Sequence, residues 1–151
     1  VIYVPVTREL FWGNVSELAA FKIIVPEGKE EDILAGASHI QPHKEKGKIR
    51  IVGSRSHMNQ ATVNYIEKIK EEYNTEVEIV AKGSSLKFCL LAEGKADVYP
   101  RFAPTMEWDT AAGHAICRAV GLNVMDQTTG EEMKYNRKEL LNNHFLVSNL
   151  V

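Results

Sequence analysis

The sequence predicts an α/β fold, with helices packed on a mixed sheet, and three observations lead there. β-rich runs alternate with helical periodicities from Lys48 onward. The junctions between them carry Gly, Ser and Pro, and no linker or internal repeat divides the chain. A length of 151 residues gives room for one domain with a substantial core and little room for a second.

The first third reads as a meander. Val1 to Val6, Glu9 to Val15 and Ala20 to Val25 are rich in β-branched and aromatic residues, and Pro26-Glu27-Gly28 closes the third run. The opening on Val1 inside a strand-like run reads as a cut through a longer protein. From Gly28 to Gly47 the chain is polar and aperiodic, which predicts a surface connection without chemistry.

Strand and helix then alternate. Lys48 to Gly53 reads as a strand, and Val63, Ile66, Ile69 and Tyr73 recur at helical spacing, predicting a helix over about Asn59–Tyr73. Glu76 to Ala81 is a second strand, running into Gly83-Ser84-Ser85 and an apolar helical segment that ends near Gly94. Ala96 to Tyr99 is a short strand, and the alanine-rich stretch from Asp109 to Val120 is a helix stopped by Gly121. Asn123-Val124-Met125 and His144 to Val147 add two short strands around a polar stretch to which no function attaches.

Composition narrows the function class. Apolar residues make up 44% and charged residues 25%, with a formal net charge of −2, so neither disorder nor bulk attraction to a nucleic acid polymer is indicated. No apolar run approaches the ~20 residues of a membrane helix, and the start carries no signal peptide, so a cytoplasmic protein is the expectation. Cys89 and Cys117 lie in apolar segments without CxxC spacing and read as buried thiols.

In α/β sheets, sites form where strand ends enter helices and free backbone N–H groups can meet an anion. Three junctions fit. Gly53-Ser54-Arg55-Ser56-His57 brings two hydroxyls, a guanidinium and an imidazole, although a serine N-cap with solvated neighbours explains it too. Lys82-Gly83-Ser84-Ser85-Leu86-Lys87 places Lys87 one helical turn after Ser84, and a capped helix with an exposed lysine is the competing reading. Trp108-Asp109-Thr110-Ala111-Ala112-Gly113-His114 sets a carboxylate at a helix start, with small residues behind it that allow close packing on a sheet. Such a carboxylate is either a structural N-cap or a hard oxygen ligand for magnesium. His114 reads as a helical histidine packed beside the sheet, with support of the neighbouring carboxylate site as the alternative.

Trp108 to Gly113 resembles the second signature of the inositol monophosphatase-like phosphatases, Trp-Asp-x-Ala-Ala-Gly, in which the Asp binds metal. Gly83 to Arg101, with Pro104-Thr105, is similar to the CysQ branch of that superfamily, the 3'(2'),5'-bisphosphate nucleotidases. The resemblance implies a single C-terminal lobe of the family's layered α/β fold, with the end of the N-terminal lobe's sheet over about residues 1–25. It implies hydrolysis of the 3'-phosphate of adenosine 3',5'-bisphosphate to AMP, with Mg2+ as cofactor and a small phosphorylated nucleotide as the partner molecule. By the same resemblance Asp109 binds metal and substrate, and His57, Ser84, Lys87 and Arg101 bind the nucleotide and its phosphates. Lys87 and Arg101 suit a second phosphate, as a point charge and a planar fork.

The family's first signature, Asp-Pro-x-Asp-Gly-Thr, does not occur in the chain, and Asp32, Asp97 and Asp126 lie in other contexts. Asp109 alone would supply one or two of about six oxygens around magnesium. The expectation is therefore a chain inactive by itself, able to self-associate through surface exposed by the cut. An inositol or sugar phosphate phosphatase of the same fold, and a non-catalytic nucleotide-binding lobe, stay open as alternatives. So does peripheral association with the inner membrane.

Overall fold

The computed structural model describes residues 1–28, 34–53 and 58–150. Four layers are stacked: a sheet, a pair of helices, a second sheet and a third helix.

The first sheet is an antiparallel meander of β1 (Ile2–Val4), β2 (Glu9–Asn14), β3 (Ala19–Ile24) and β4 (Ser38–Ile40), in that spatial order. β4 falls inside the stretch expected to be a surface connection. It is three residues long with one buried apolar side chain, Ile40, too short to show a period. Its pairing of Ser38 with Lys22 and Ile40 with Ala20 defines it instead.

The second sheet contains β5 (Lys48–Gly53), β6 (Glu76–Ala81), β7 (Val98–Arg101), β8 (Val124–Asp126) and β9 (Phe145–Ser148), ordered β6-β5-β7-β9-β8. β5 runs parallel to β6 and β7, whereas β9 is antiparallel to both β7 and β8, so the sheet is mixed as expected. The strand expected at Ala96 begins two residues later, because Asp97 is spent on an ion pair. Its carboxylate accepts from the backbone N–H of Arg50 (2.7 Å) and from Arg50 Nε (3.0 Å) and Nη2 (2.8 Å). Both residues are buried, and this pair ties β5 to the turn that launches β7.

Alternation along β5 shares its side chains between two cores. Ile49 and Ile51 pack with Ile66 and Ile69 of α1 (Gln60–Tyr73) on one face. Val52 packs on the other face with Phe88 and Leu91 of α2 (Leu86–Ala92) and Cys117 of α3 (Glu107–Ala119). The far sides of α2 and α3, through Cys89, Ala92, Ile116 and Ala119, meet Phe11, Ala20 and Ile40 of the first sheet. Both cysteines are buried free thiols, as expected.

Because α2 and α3 are covered on both sides, close approach is required at two glycines. A Cβ on Gly113 would lie 2.3 Å from Phe88 Cδ2, and one on Gly13 would lie 2.9 Å from Ala119 Cβ. The first fixes the spacing of α2 and α3, and the second seats α3 on β2. His114, also buried, donates from Nε2 to the Glu132 carboxylate (2.9 Å) and accepts at Nδ1 from the Tyr135 hydroxyl (2.9 Å).

Two outcomes follow from this packing. Gly113→Ala forces Phe88 off its position and should cost about 1–3 kcal/mol in urea unfolding, the usual range for overpacking. Burial lowers the affinity of His114 for a proton below the usual histidine value of 6.5. The unfolded chain then binds more protons in that range, so thermal stability should fall as pH drops below about 6.5, and by less in His114→Gln.

Candidate active site

Three chain segments converge beside the ends of α2 and α3 on a cleft of about 580 Å³. Lys82–Lys87 enters α2, Tyr99 and Arg101 end β7, and Ala103–Thr105 leads into Trp108 and Asp109 on the first turn of α3. Four of the five residues expected from the sequence, Ser84, Lys87, Arg101 and Asp109, line this one cleft. The fifth, His57, lies outside the described residues together with Ser54, Arg55 and Ser56.

The serine cap considered for that junction is supplied by another residue. Asn59 caps α1, its side chain accepting from the N–H of Thr62 at 3.0 Å. At the second junction, Ser85 occupies the cap position of α2 without a side-chain hydrogen bond. Ser84 is exposed with φ of 48°, a left-handed conformation uncommon for a residue with a Cβ, and its carbonyl lies 3.4 Å from Lys87 Nζ.

Lys87 is not the exposed lysine of the competing reading. It is buried, with its ammonium 5.5 Å from the centre of the Tyr99 ring. Burial, with the Arg101 charge nearby, holds its pKa below the usual lysine value. Arg101 donates from Nη2 to the Pro104 carbonyl (3.1 Å), while its Nε is buried without a hydrogen-bond partner. Neither cation forms a salt bridge with a carboxylate among the described residues. Two unpaired cations in one cleft, one of them desolvated, make a strong anion-binding field.

Asp109 is on the third residue of α3, not at its cap, because the helix begins two residues earlier than expected. One carboxylate oxygen accepts the backbone N–H of Met106 at 2.8 Å, and the Asp109 N–H donates back to the Met106 carbonyl at 3.0 Å. This reciprocal pairing fixes an exposed carboxylate at the cleft and, among the described residues, leaves its second oxygen without a protein donor. No group of three or more His, Cys, Asp or Glu side chains able to hold a metal ion occurs among the described residues. Asp109 can offer a ligand, but the described residues do not form a complete site for magnesium, and no step is assigned through a metal on them.

The arrangement is a cleft lined by the cations Lys87 and Arg101 and the carboxylate of Asp109 on a layered α/β fold. The family model described as the inositol monophosphatase family matches residues 1–150, and the chain belongs to that family. It is similar to the 3'(2'),5'-bisphosphate nucleotidases CysQ of Salmonella typhimurium (36% identical) and Shigella flexneri (39%), in each case over 98% of this chain and 53% of the relative. The crystal structure of CysQ from Bacteroides thetaiotaomicron superposes with a TM-score of 0.81 at 42% identity, over 98% of this chain and 56% of that one. The chain thus spans about half the length of the relatives it matches. The family is generally metal-dependent, and no helix among the described residues is long and apolar enough to cross a membrane.

Relieving a buried, unpaired charge should stabilise the fold while removing the anion field. Lys87→Met is expected to raise the Tm by about 2–5 °C and to weaken calorimetric binding of inorganic phosphate. In the unaltered chain that binding should weaken as pH rises through the lowered Lys87 pKa. A bound anion favours charged Lys87, so binding takes up protons, which is measurable from calorimetric heats in two buffers.

Proposed function

We propose that this cleft binds a ribonucleotide carrying two phosphates, and that the protein hydrolyses the 3'-phosphate of adenosine 3',5'-bisphosphate to give AMP and phosphate. The observation that carries the reading is the pair of cations, Lys87 and Arg101, without a carboxylate partner among the described residues, in the cleft that Asp109 also lines. A single phosphate ester beside Asp109 accounts for one anion-binding element, and two further cations suit a second phosphate that is kept. Lys87 supplies a desolvated point charge, Arg101 a planar fork, and Ser84 a hydroxyl toward the nucleotide. His57 is proposed as a further nucleotide contact from its sequence context alone. Similarity to the CysQ nucleotidases points the same way.

The cofactor in this proposal is Mg2+, with Asp109 supplying one ligand and oxygen ligands from outside the described residues completing the shell. A cytoplasmic setting is proposed with it. No protein nucleophile is needed, since a metal-activated water suffices in this class of chemistry. Because a complete metal site is absent among the described residues, a second reading has a specific basis: this chain binds the nucleotide and does no chemistry by itself.

Phosphate release from adenosine 3',5'-bisphosphate with magnesium, compared with AMP, tests both readings. The chain alone should release none, and a longer protein carrying the further carboxylates should be active. In that protein Asp109→Ala should cost about 10³-fold, and Arg101→Ala should lower the preference for bisphosphate over monophosphate about tenfold or more. Equal rates on both substrates, unaffected by Arg101→Ala, would point to another phosphate ester.

A further inference from the structure

Thr105 lines the cleft beside Arg101 and is held by Asn142, at the end of the segment Tyr135–Asn142. The Asn142 backbone N–H donates to the Thr105 carbonyl at 2.8 Å. Asn142 itself is buried, and its side-chain amide donates to the hydroxyls of Thr105 (3.2 Å) and Thr110 (3.1 Å).

The direction of these bonds is fixed by Arg137. Its Nη2 reaches Asn142 Oδ1 at 2.9 Å, and a guanidinium can only donate, so the amide oxygen faces Arg137 and the amide N–H groups face the threonines. Arg137 is in turn held by Glu107 on the first turn of α3, from Nε to Oε1 at 3.0 Å, and that carboxylate also accepts the N–H groups of Asn136 (2.8 Å) and Arg137 (3.2 Å).

The two threonines end differently. Thr110 is fully buried and its own proton goes to the Glu107 carbonyl at 3.2 Å. Thr105 is only half-buried, and among the described residues its hydroxyl accepts from Asn142 while donating to nothing. Asn142 occupies a lone pair of the Thr105 oxygen, which leaves the hydroxyl proton as a donor at a cleft that also holds Lys87 and Arg101.

We propose that Thr105 donates a hydrogen bond to a phosphate oxygen of the ligand in this cleft, and that Asn142 is the positioning residue that turns its hydroxyl outward. This rests on the bisphosphate reading above and adds a neutral, directional donor to two cations. A hydroxyl beside the Lys87 point charge and the Arg101 fork adds one more directional contact that fixes the orientation of a phosphate group.

The test is calorimetric titration of this chain with adenosine 3',5'-bisphosphate in magnesium buffer. Thr105→Val, which keeps shape and removes the hydroxyl, should weaken binding about 10- to 100-fold, the usual effect of losing a hydrogen bond to a charged group. Thr105→Ser should restore it. Asn142→Asp keeps the volume but reverses the polarity: the Thr105 proton turns to the new carboxylate, and affinity falls although the hydroxyl remains. With both T105V and N142D, the loss should be smaller than the product of the two single losses, because the two act through one group.

Unchanged affinity in T105V, or a loss that T105S does not restore, would overturn this proposal while leaving the bisphosphate reading intact. If T105V does not fold, unchanged affinity in N142D has the same consequence. No binding by the unaltered chain would overturn the bisphosphate reading and this proposal together.

Discussion

Helices α2 and α3 are pressed between two sheets, and the missing side chain at Gly113 sets how closely they lie. Phe88 occupies the space a Cβ would need there, and it also stacks on Phe145 and meets Tyr99 edge-on, so the contact reaches into the second sheet. Lys87 precedes Phe88 on α2, and Asp109 lies one turn before Gly113 on α3. Spacing the two helices therefore spaces the cation and the carboxylate across the cleft. Gly13 does the same for α3 against the first sheet.

Electrostatics at the cleft runs against stability. The buried cation Arg50 is matched by Asp97, with two hydrogen bonds from the Arg50 guanidinium and one from the Arg50 backbone N–H to the same carboxylate. Lys87 is comparably buried and, among the described residues, has a backbone carbonyl at 3.4 Å and the Tyr99 ring but no carboxylate. Among the described residues the fold pairs the buried charge of Arg50 and leaves Lys87 and Arg101 without a carboxylate, and the proposed function gives those two cations an anion to meet. An anion with two charged groups answers that description better than one with a single group.

Much of this was legible in the sequence, for identifiable physical reasons. The alternation of strand and helix from Lys48 is carried by periodicity, and the helix at Trp108–Gly113 by small residues beside a carboxylate. β4 was not legible because a three-residue strand has no period, only a register. The place of Asp109 on the first turn was not legible because acidic residues are favoured both as caps and on the first turn, and only the backbone of Met106 distinguishes the two. Burial of Lys87 could not be read from a polar loop followed by one lysine. Asn142 and Arg137 stand in a stretch without apolar pattern, and their link to Thr105 spans 37 and 32 residues, so no local signal could have shown it.

The central claim is that Lys87, Arg101 and Asp109 share one bisphosphate. A crystal structure of the chain with adenosine 3',5'-bisphosphate and magnesium tests it most directly. The account predicts one phosphate between Lys87 Nζ and the Arg101 guanidinium, with the other beside Asp109. A nucleotide bound in this cleft with both phosphates away from Lys87 and Arg101, or bound elsewhere on the chain, would contradict it.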